Sequence, residues 1–265
     1  MSSSLTWTSG RAPADLAAVR AEGPLTHCLT NVVAAPLSAN VLLALGAAPV
    51  MVENAEESAD FAGLASGVLA NLGTLSAERD RALRLAAGGA DSAGTPWVLD
   101  PVAAGALAYR TNLAVDLVAQ RPSVLRGNAS EVLSLTGAAD SAGKGVESVA
   151  GSGEAVDAAR EFAARHGCVV AVSGEVDYVT DGAEVVEVPG GHPLMTRVTG
   201  VGCALGATMA AFLAVAPTPL RAAASASAVF AEAGARAGRG CSGPGTFEPA
   251  FLDALHALDA SGERG

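Results

Sequence analysis

The sequence predicts a three-layer α/β sandwich with a mostly parallel central sheet and an antiparallel hairpin at its edge. Three observations predict it. Short, nearly continuous apolar runs alternate with helical patterns, which is how strands buried on both faces read. The stretch Asp177–Val188 places an Asp181-Gly182 turn between two β-rich runs, a hairpin signal. Three helical patterns then close the chain with no clear strand among them.

The elements follow in order. Strands are expected at Leu25–Leu29, Pro49–Val52, Val68–Asn71, Trp97–Asp100, Ser123–Arg126 and Cys168–Ser173. Helices are expected at Pro36–Leu45, Ser58–Ser66 and Ser76–Ala87, the last with a capping serine and charges along one side. Asn112–Ala119, Ser130–Leu135 and Glu154–His166 come next, and Cys203–Val215, Leu220–Ala237 and Phe247–Leu258 form the final helical layer. Ala138–Gly153, rich in Ala, Gly and Ser, reads as a mobile loop, and the terminal SGERG as disordered. No boundary divides the chain, so residues 1–265 are expected to form a single domain with its ordered core over about 12–260.

Composition narrows the function. Half of the residues are hydrophobic and only 4% aromatic, so the core is built from Ala, Val and Leu. A net charge of −11 opposes binding to nucleic acid or to an anionic membrane, both of which need a basic face. An anionic ligand must therefore be held by local devices: helix N-termini, isolated arginines or a metal. Lys144 is the only lysine and is followed by glycine, which excludes a P-loop. Val32–Val52 carries no charge, but Pro36, Asn40, Gly46 and Pro49 punctuate it, and it reads as helix then strand, not as a membrane span. The N-terminus has no apolar signal region, and the four cysteines form no CxxC pair, so a reducing cytoplasm is the expected compartment.

Ligands of open α/β sheets bind beyond the carboxyl ends of the strands. Several predicted strands end there in polar residues: Thr30 and Asn31, Met51 and Glu53, Asp100, the RGNASE run from Arg126, and the SGEVD run from Ser173. Thr199–Cys203 (TGVGC) is a glycine-lined helix start whose backbone N–H groups suit an anion. Cys203 at that junction has two readings, a small buried hydrophobe or a reactive thiol. His27 reads as a hydrogen-bonded core residue. Glu131 reads equally as a metal-site carboxylate or as a favourable charge at a helix start.

Seven segments stand in a recognisable order: THCLTN (Thr26–Asn31), ALGAAPVM (Ala44–Met51), the DPV within Leu99–Arg110, RGNASE (Arg126–Glu131), SGEVDYVTDG (Ser173–Gly182), GGHPLMTRVTGVGC (Gly190–Cys203) and SGPGTF (Ser242–Phe247). Together they resemble the hydroxyethylthiazole kinases of the ribokinase-like superfamily, over about Leu25 to Leu258. The resemblance implies a thiamine-salvage kinase that moves the γ-phosphoryl group of Mg-ATP to the hydroxyl of 4-methyl-5-(2-hydroxyethyl)thiazole. It implies a homotrimer with active sites at subunit interfaces. By the same resemblance Met51 and Gly200 contact the thiazole, with Asn31 near its hydroxyl. Arg126 and Ser173 bind ATP, and Gly200, Val201, Gly202 and Cys203 form the anion cradle. Cys203 takes the catalytic-base position, and Asp100 and Glu131 are placed near Mg2+. Ala103, Ala104, Leu107 and Gly191 depart from the family's usual residues, which bears on the acceptor more than on phosphotransfer. The rivals are a hydroxymethylpyrimidine kinase and a non-catalytic thiazole or nucleotide sensor. A dehydratase of hydrated nicotinamide nucleotides is disfavoured because it would carry aspartate at position 203.

Overall fold

The computed structural model describes residues 2–9, 11–140 and 152–259. Strand β1 (Ser2–Ser4) and helix α1 (Arg11–Glu22) open the chain. They lead into β2 (Leu25–Leu29), α2 (Ala35–Leu45), β3 (Ala48–Val50), α3 (Ala55–Leu64), β4 (Gly67–Asn71) and α4 (Ala77–Ala93). Then come β5 (Trp97–Asp100), α5 (Ala108–Val118), β6 (Val124–Asn128), α6 (Ala129–Asp140) and α7 (Val156–His166). The chain continues through β7 (Val169–Ser173), β8 (Val176–Thr180), β9 (Val185–Pro189), α8 (Val201–Leu213), α9 (Pro219–Gly238) and α10 (Pro244–Ala257).

Among the described residues nine strands form one sheet in the order β1-β9-β8-β7-β6-β5-β4-β2-β3. The pairings are parallel except β7 with β8 and β8 with β9. The expected hairpin is therefore present. It is not the outermost element, however, because β1 pairs parallel to β9 and covers its free edge. The expected loop at Ala138–Gly153 falls largely outside the described residues, as do Lys144 and the terminal SGERG; Ala138–Asp140 continue α6.

Two apolar layers sandwich the sheet, and the strands feed them by alternation. In β4, Val68 and Ala70 join one layer and Leu69 the other; in β5, Trp97 and Leu99 face opposite to Val98. This period of two, buried on both sides, explains why those strands read as unbroken apolar runs. Helices α1, α2, α8, α9 and α10 cover one face, and α3 to α7 the other. Small residues let neighbouring elements approach closely. A Cβ on Gly67 would stand 2.1 Å from the Ala210 carbonyl oxygen of α8, and one on Gly89 2.3 Å from that of Ala59 in α3. Val32–Val52 forms α2 followed by β3, and among the described residues no helix is long and apolar enough to cross a membrane.

Candidate active site

The strand ends and the start of α8 meet at one edge of the sheet. Gly200 caps α8 in the left-handed region at φ 91°, and a Cβ there would press on Ala34 at 3.0 Å, so position 200 requires glycine. Ala204 N–H donates to the Gly200 carbonyl at 2.8 Å. The three preceding amides, of Val201, Gly202 and Cys203, have no carbonyl within the helix to bond, which leaves them for an anion. Gly202 in turn lets the Arg126 guanidinium lie against the helix: an added Cβ would sit 2.9 Å from its Nη2 and 3.1 Å from its Nη1.

From Cys203 a hydrogen-bonded chain crosses the sheet edge. Asn31 Nδ2 donates to Cys203 Sγ at 3.2 Å and to Asn71 Oδ1 at 3.0 Å. Asn71 Nδ2 donates to Asp100 Oδ2 at 2.7 Å. Arg126 Nη1 lies 3.5 Å from Asp100 Oδ2, and Arg126 Nη2 donates to Ser173 Oγ at 3.0 Å. Strands β2, β4, β5, β6 and β7 thus each supply one link, at or just past the carboxyl end except for Arg126, which lies mid-strand in β6. The structure brings together Asn31, Asp100, Arg126, Ser173 and the Gly200–Cys203 turn, as the sequence led us to expect. Asn71 was missed, although it ends an apolar strand in the same way as Asp100.

Glu131 sits beside this chain in the first turn of α6. Its two oxygens accept from the backbone N–H groups of Ala103 and Asn128, both at 2.9 Å, and Asn128 Oδ1 accepts from Glu131 N–H in return. This reciprocal capping is the helix-start role that the sequence left open. Met51 follows β3, is half-buried and packs against the layer that contains α2 and α8. Strands β2 and β3 are parallel, so Met51 leaves the sheet at the same edge as Asn31. His27 is fully buried; its Nε2 meets the Val52 carbonyl at 2.8 Å and its ring stands edge-on to Phe61, which fits its reading as a core residue.

A cleft of about 950 Å³ opens on the other side of the α8 start. Arg126, Ser173, Asp177 and Gly202 line its polar end, and His192 and Phe230 part of its wall. His192 is oriented by accepting the Leu194 N–H at 3.2 Å and by stacking on Phe247.

Electrostatics follow from burial. Desolvation lifts the Asp100 carboxyl to about 6, with Arg126 pulling it back and Glu131 pushing it further. Burial also raises the Cys203 thiol, reinforced by the Asp100 charge and opposed by the nearby Asn71 amide, by Arg126 and by the Asn31 hydrogen bond. Burial works against the Arg126 cation, but Asp100, Glu131, Cys203 and Asp177 outweigh it and raise its pKa. Arg126 is thus a fixed positive charge. Among the described residues no group of three His, Cys, Asp or Glu side chains converges on a metal position. Asp100 and Glu131 nonetheless suit a magnesium ion, which takes few protein ligands and keeps several waters. Asp100 Oδ1 is buried without a partner, and each Glu131 oxygen retains a further lone pair beyond its backbone bond.

The mostly parallel sheet with helices on both faces is the ribokinase-like fold. A ribokinase-like superfamily protein from Enterococcus faecalis V583 shares the fold at a TM-score of 0.65, with 14% identity over 96% of this chain and 95% of that one. The hydroxyethylthiazole kinase family profile matches residues 16–261. A hydroxyethylthiazole kinase from Kineococcus radiotolerans is 54% identical over 257 residues, covering 96% of this chain and 93% of that protein. One from Leptospira borgpetersenii serovar Hardjo-bovis (strain JB197) is 50% identical over 95% of both. The structure of a hydroxyethylthiazole kinase from Pyrococcus horikoshii OT3 superposes with a TM-score of 0.86 and 37% identity, over 94% of this chain and 93% of that one. The chain belongs to the hydroxyethylthiazole kinase family.

Proposed function

We propose that the protein transfers the γ-phosphoryl group of ATP to the hydroxyl of 4-methyl-5-(2-hydroxyethyl)thiazole, in thiamine salvage. The observation that carries this reading is the shared helix start: the Cys203 sulfur and the Arg126 guanidinium both adjoin the turn that holds the three free amides. Phosphoryl transfer needs positioning and charge neutralisation above all, and those groups supply both. The triphosphate lies along Arg126 and Ser173, its γ-phosphate against the amides of Val201, Gly202 and Cys203, with the rest of the nucleotide in the cleft. The thiazole lies on the opposite side, against Met51, Gly200 and Asn31. Its hydroxyl oxygen attacks the γ-phosphorus, the bond to the β-phosphate oxygen breaks, and the thiolate form of Cys203 takes the hydroxyl proton. Asp100 and Glu131 would hold Mg2+, directly or through water. Bound Mg2+ offsets charge on the phosphate oxygens.

We further propose that residues 1–265 act as a single kinase domain in the cytoplasm and assemble as a homotrimer with the thiazole site at the subunit boundary. Exposed apolar side chains support the assembly: Val32 and Val33 directly follow Asn31, and Leu43 and Leu64 stand on α2 and α3, the helices before and after β3 and Met51. The test is ATP-dependent phosphorylation of the thiazole with and without Mg2+, with hydroxymethylpyrimidine as parallel acceptor. Mg2+-dependent turnover on the thiazole is expected. A folded, nucleotide-binding protein that phosphorylates only the pyrimidine, or neither, overturns the reading. Sedimentation equilibrium giving a monomer would refute the trimer.

A further inference from the structure

Asn71 occupies the centre of the polar chain and has no role in the reading above. It is fully buried, and Asn31 is 3% exposed, so neither amide has water to bond. Their orientations are fixed by chemistry. A backbone N–H can only donate, and Gly73 N–H meets the Asn71 side chain at 3.0 Å, so that atom is Oδ1. The nitrogen end then faces Asp100 Oδ2, an acceptor, at 2.7 Å. Since Asn71 Oδ1 accepts, the Asn31 atom that meets it at 3.0 Å is Nδ2. The Ala34 N–H gives the same assignment independently, because it donates to Asn31 Oδ1 at 3.0 Å. Gly73 also wedges the Asn31 amide in place: a Cβ there would lie 2.6 Å from both Asn31 Cβ and Nδ2. The remaining Asn31 N–H therefore points at the Cys203 sulfur at 3.2 Å.

We propose that Asn71 is a positioning residue that locks the Asn31 amide so that it donates to Cys203, leaving the sulfur an acceptor toward the substrate hydroxyl. A flipped Asn31 would present its oxygen and draw the thiol proton inward, away from its acceptor role. Asn71 reads the Asp100 carboxylate with one end and sets Asn31 with the other. The nucleotide half and the thiol half of the site are thereby held in one register. This rests on the reading of Cys203 as proton acceptor, so the test needs one arm that is independent of turnover.

The first arm is alkylation of Cys203 by iodoacetamide at fixed pH, followed by peptide mass spectrometry. Asn71→Leu removes both ends of the bridge and should slow Cys203 alkylation by about tenfold, as expected when a hydrogen bond to a charged acceptor is lost. Alkylation of the Leu variant at the parental rate overturns the proposal. A protein inactive on the thiazole still answers for Asn71 in this arm. The second arm is kinetic. Asn71→Leu should lower kcat by about ten- to a hundredfold while the nucleotide KM stays within about threefold. In a Cys203→Ala background the same change should cost less than about threefold. Equal losses in both backgrounds indicate a merely structural role and overturn the proposal. If Asn71→Leu does not fold, Asn71→Ser takes its place in both arms, since its short side chain reaches neither partner.

Discussion

Gly202 offers a perturbation whose effects on stability and on activity should part. Its φ lies outside the left-handed region, so alanine is allowed by the backbone, and it stands in the first turn of α8. Replacing glycine with alanine in a helix contributes about 0.5–1 kcal/mol of stability, less at a helix start. The new methyl, however, would lie 2.9 Å and 3.1 Å from the two terminal nitrogens of Arg126. An ordinary carbon–nitrogen contact is about 3.5 Å, so the guanidinium must retreat by roughly half an ångström. The side chain can do so at small cost, but its 3.0 Å bond to Ser173 then lengthens past hydrogen-bonding range. The charge also moves off the amides of the α8 start. Losing one charge-assisted contact to phosphate is worth about 1.5–3 kcal/mol, or roughly 10–150-fold. Gly202→Ala is therefore expected to lower kcat/KM for the nucleotide by that factor, with the thiazole KM nearly unchanged and the melting temperature equal or slightly higher. Steady-state kinetics in both substrates and a thermal melt check it. Unchanged nucleotide kinetics would refute the placement of Arg126, and a lowered melting temperature would refute the claim that its side chain absorbs the clash.

Cys203→Ala should lower kcat by no more than about a hundredfold, the low end for loss of a general base, and Cys203→Asp should remain active. Because burial raises the Cys203 thiol, the parental kcat should climb with pH from neutrality to pH 9, whereas the Asp variant should be flat there; parallel profiles would refute the assignment. Asp100 is raised from 3.8 to about 6, so the folded state binds the extra proton between those values and stability falls as pH rises through them. At about 1.4 kcal/mol per decade, Asp100→Asn should stabilise the metal-free protein by up to about 3 kcal/mol at pH 7.5 and by almost nothing at pH 4, measured by urea unfolding in a chelator. Equal effects at both pH values would contradict this. Gly67→Ala should destabilise by about 3 kcal/mol or more, because the atom it meets at 2.1 Å is backbone and cannot swing aside; a soluble variant with a parental melting temperature would count against it.

What the sequence disclosed depended on whether local and tertiary signals agreed. Leu25–Leu29 and Trp97–Asp100 were readable to the residue, since strands buried on both faces leave unbroken apolar runs. Strand β1 is Ser2–Ser4 and carries no apolar signal; it exists through backbone pairing with β9. Helix α1 went unread because Asp15 occupies a core position, where it is buried and paired with Arg221 and Ser225 of α9. Helix α4 was expected to end near Ala87 but runs through two glycines to Ala93, because Gly89 packs against α3. The site residues at the strand ends were legible from the general rule for open sheets. Glu131 was not resolvable, because its backbone partners, Ala103 and Asn128, come from two different segments. Gly191 holds φ at 86°, in the left-handed region that glycine adopts without strain.

The placement of a thiol at a glycine-lined helix start is explained by what surrounds it. The helix end and Arg126 favour a negative sulfur, while burial and Asp100 oppose it, and the balance leaves the thiol above its ordinary range. A thiol held that way is little ionised at neutral pH, so the base form is scarce. In a loose phosphoryl-transfer transition state the acceptor hydroxyl keeps its proton until late, so a sparsely populated base costs little. A strong anion in the same place would sit against the γ-phosphate oxygens that the three amides are there to bind. Cysteine therefore relieves charge crowding in a site that already holds Asp100 and Glu131, in a chain of net charge −11. The same reasoning gives Asn31 its part, because a single N–H aimed at the sulfur favours proton acceptance without adding a further charge.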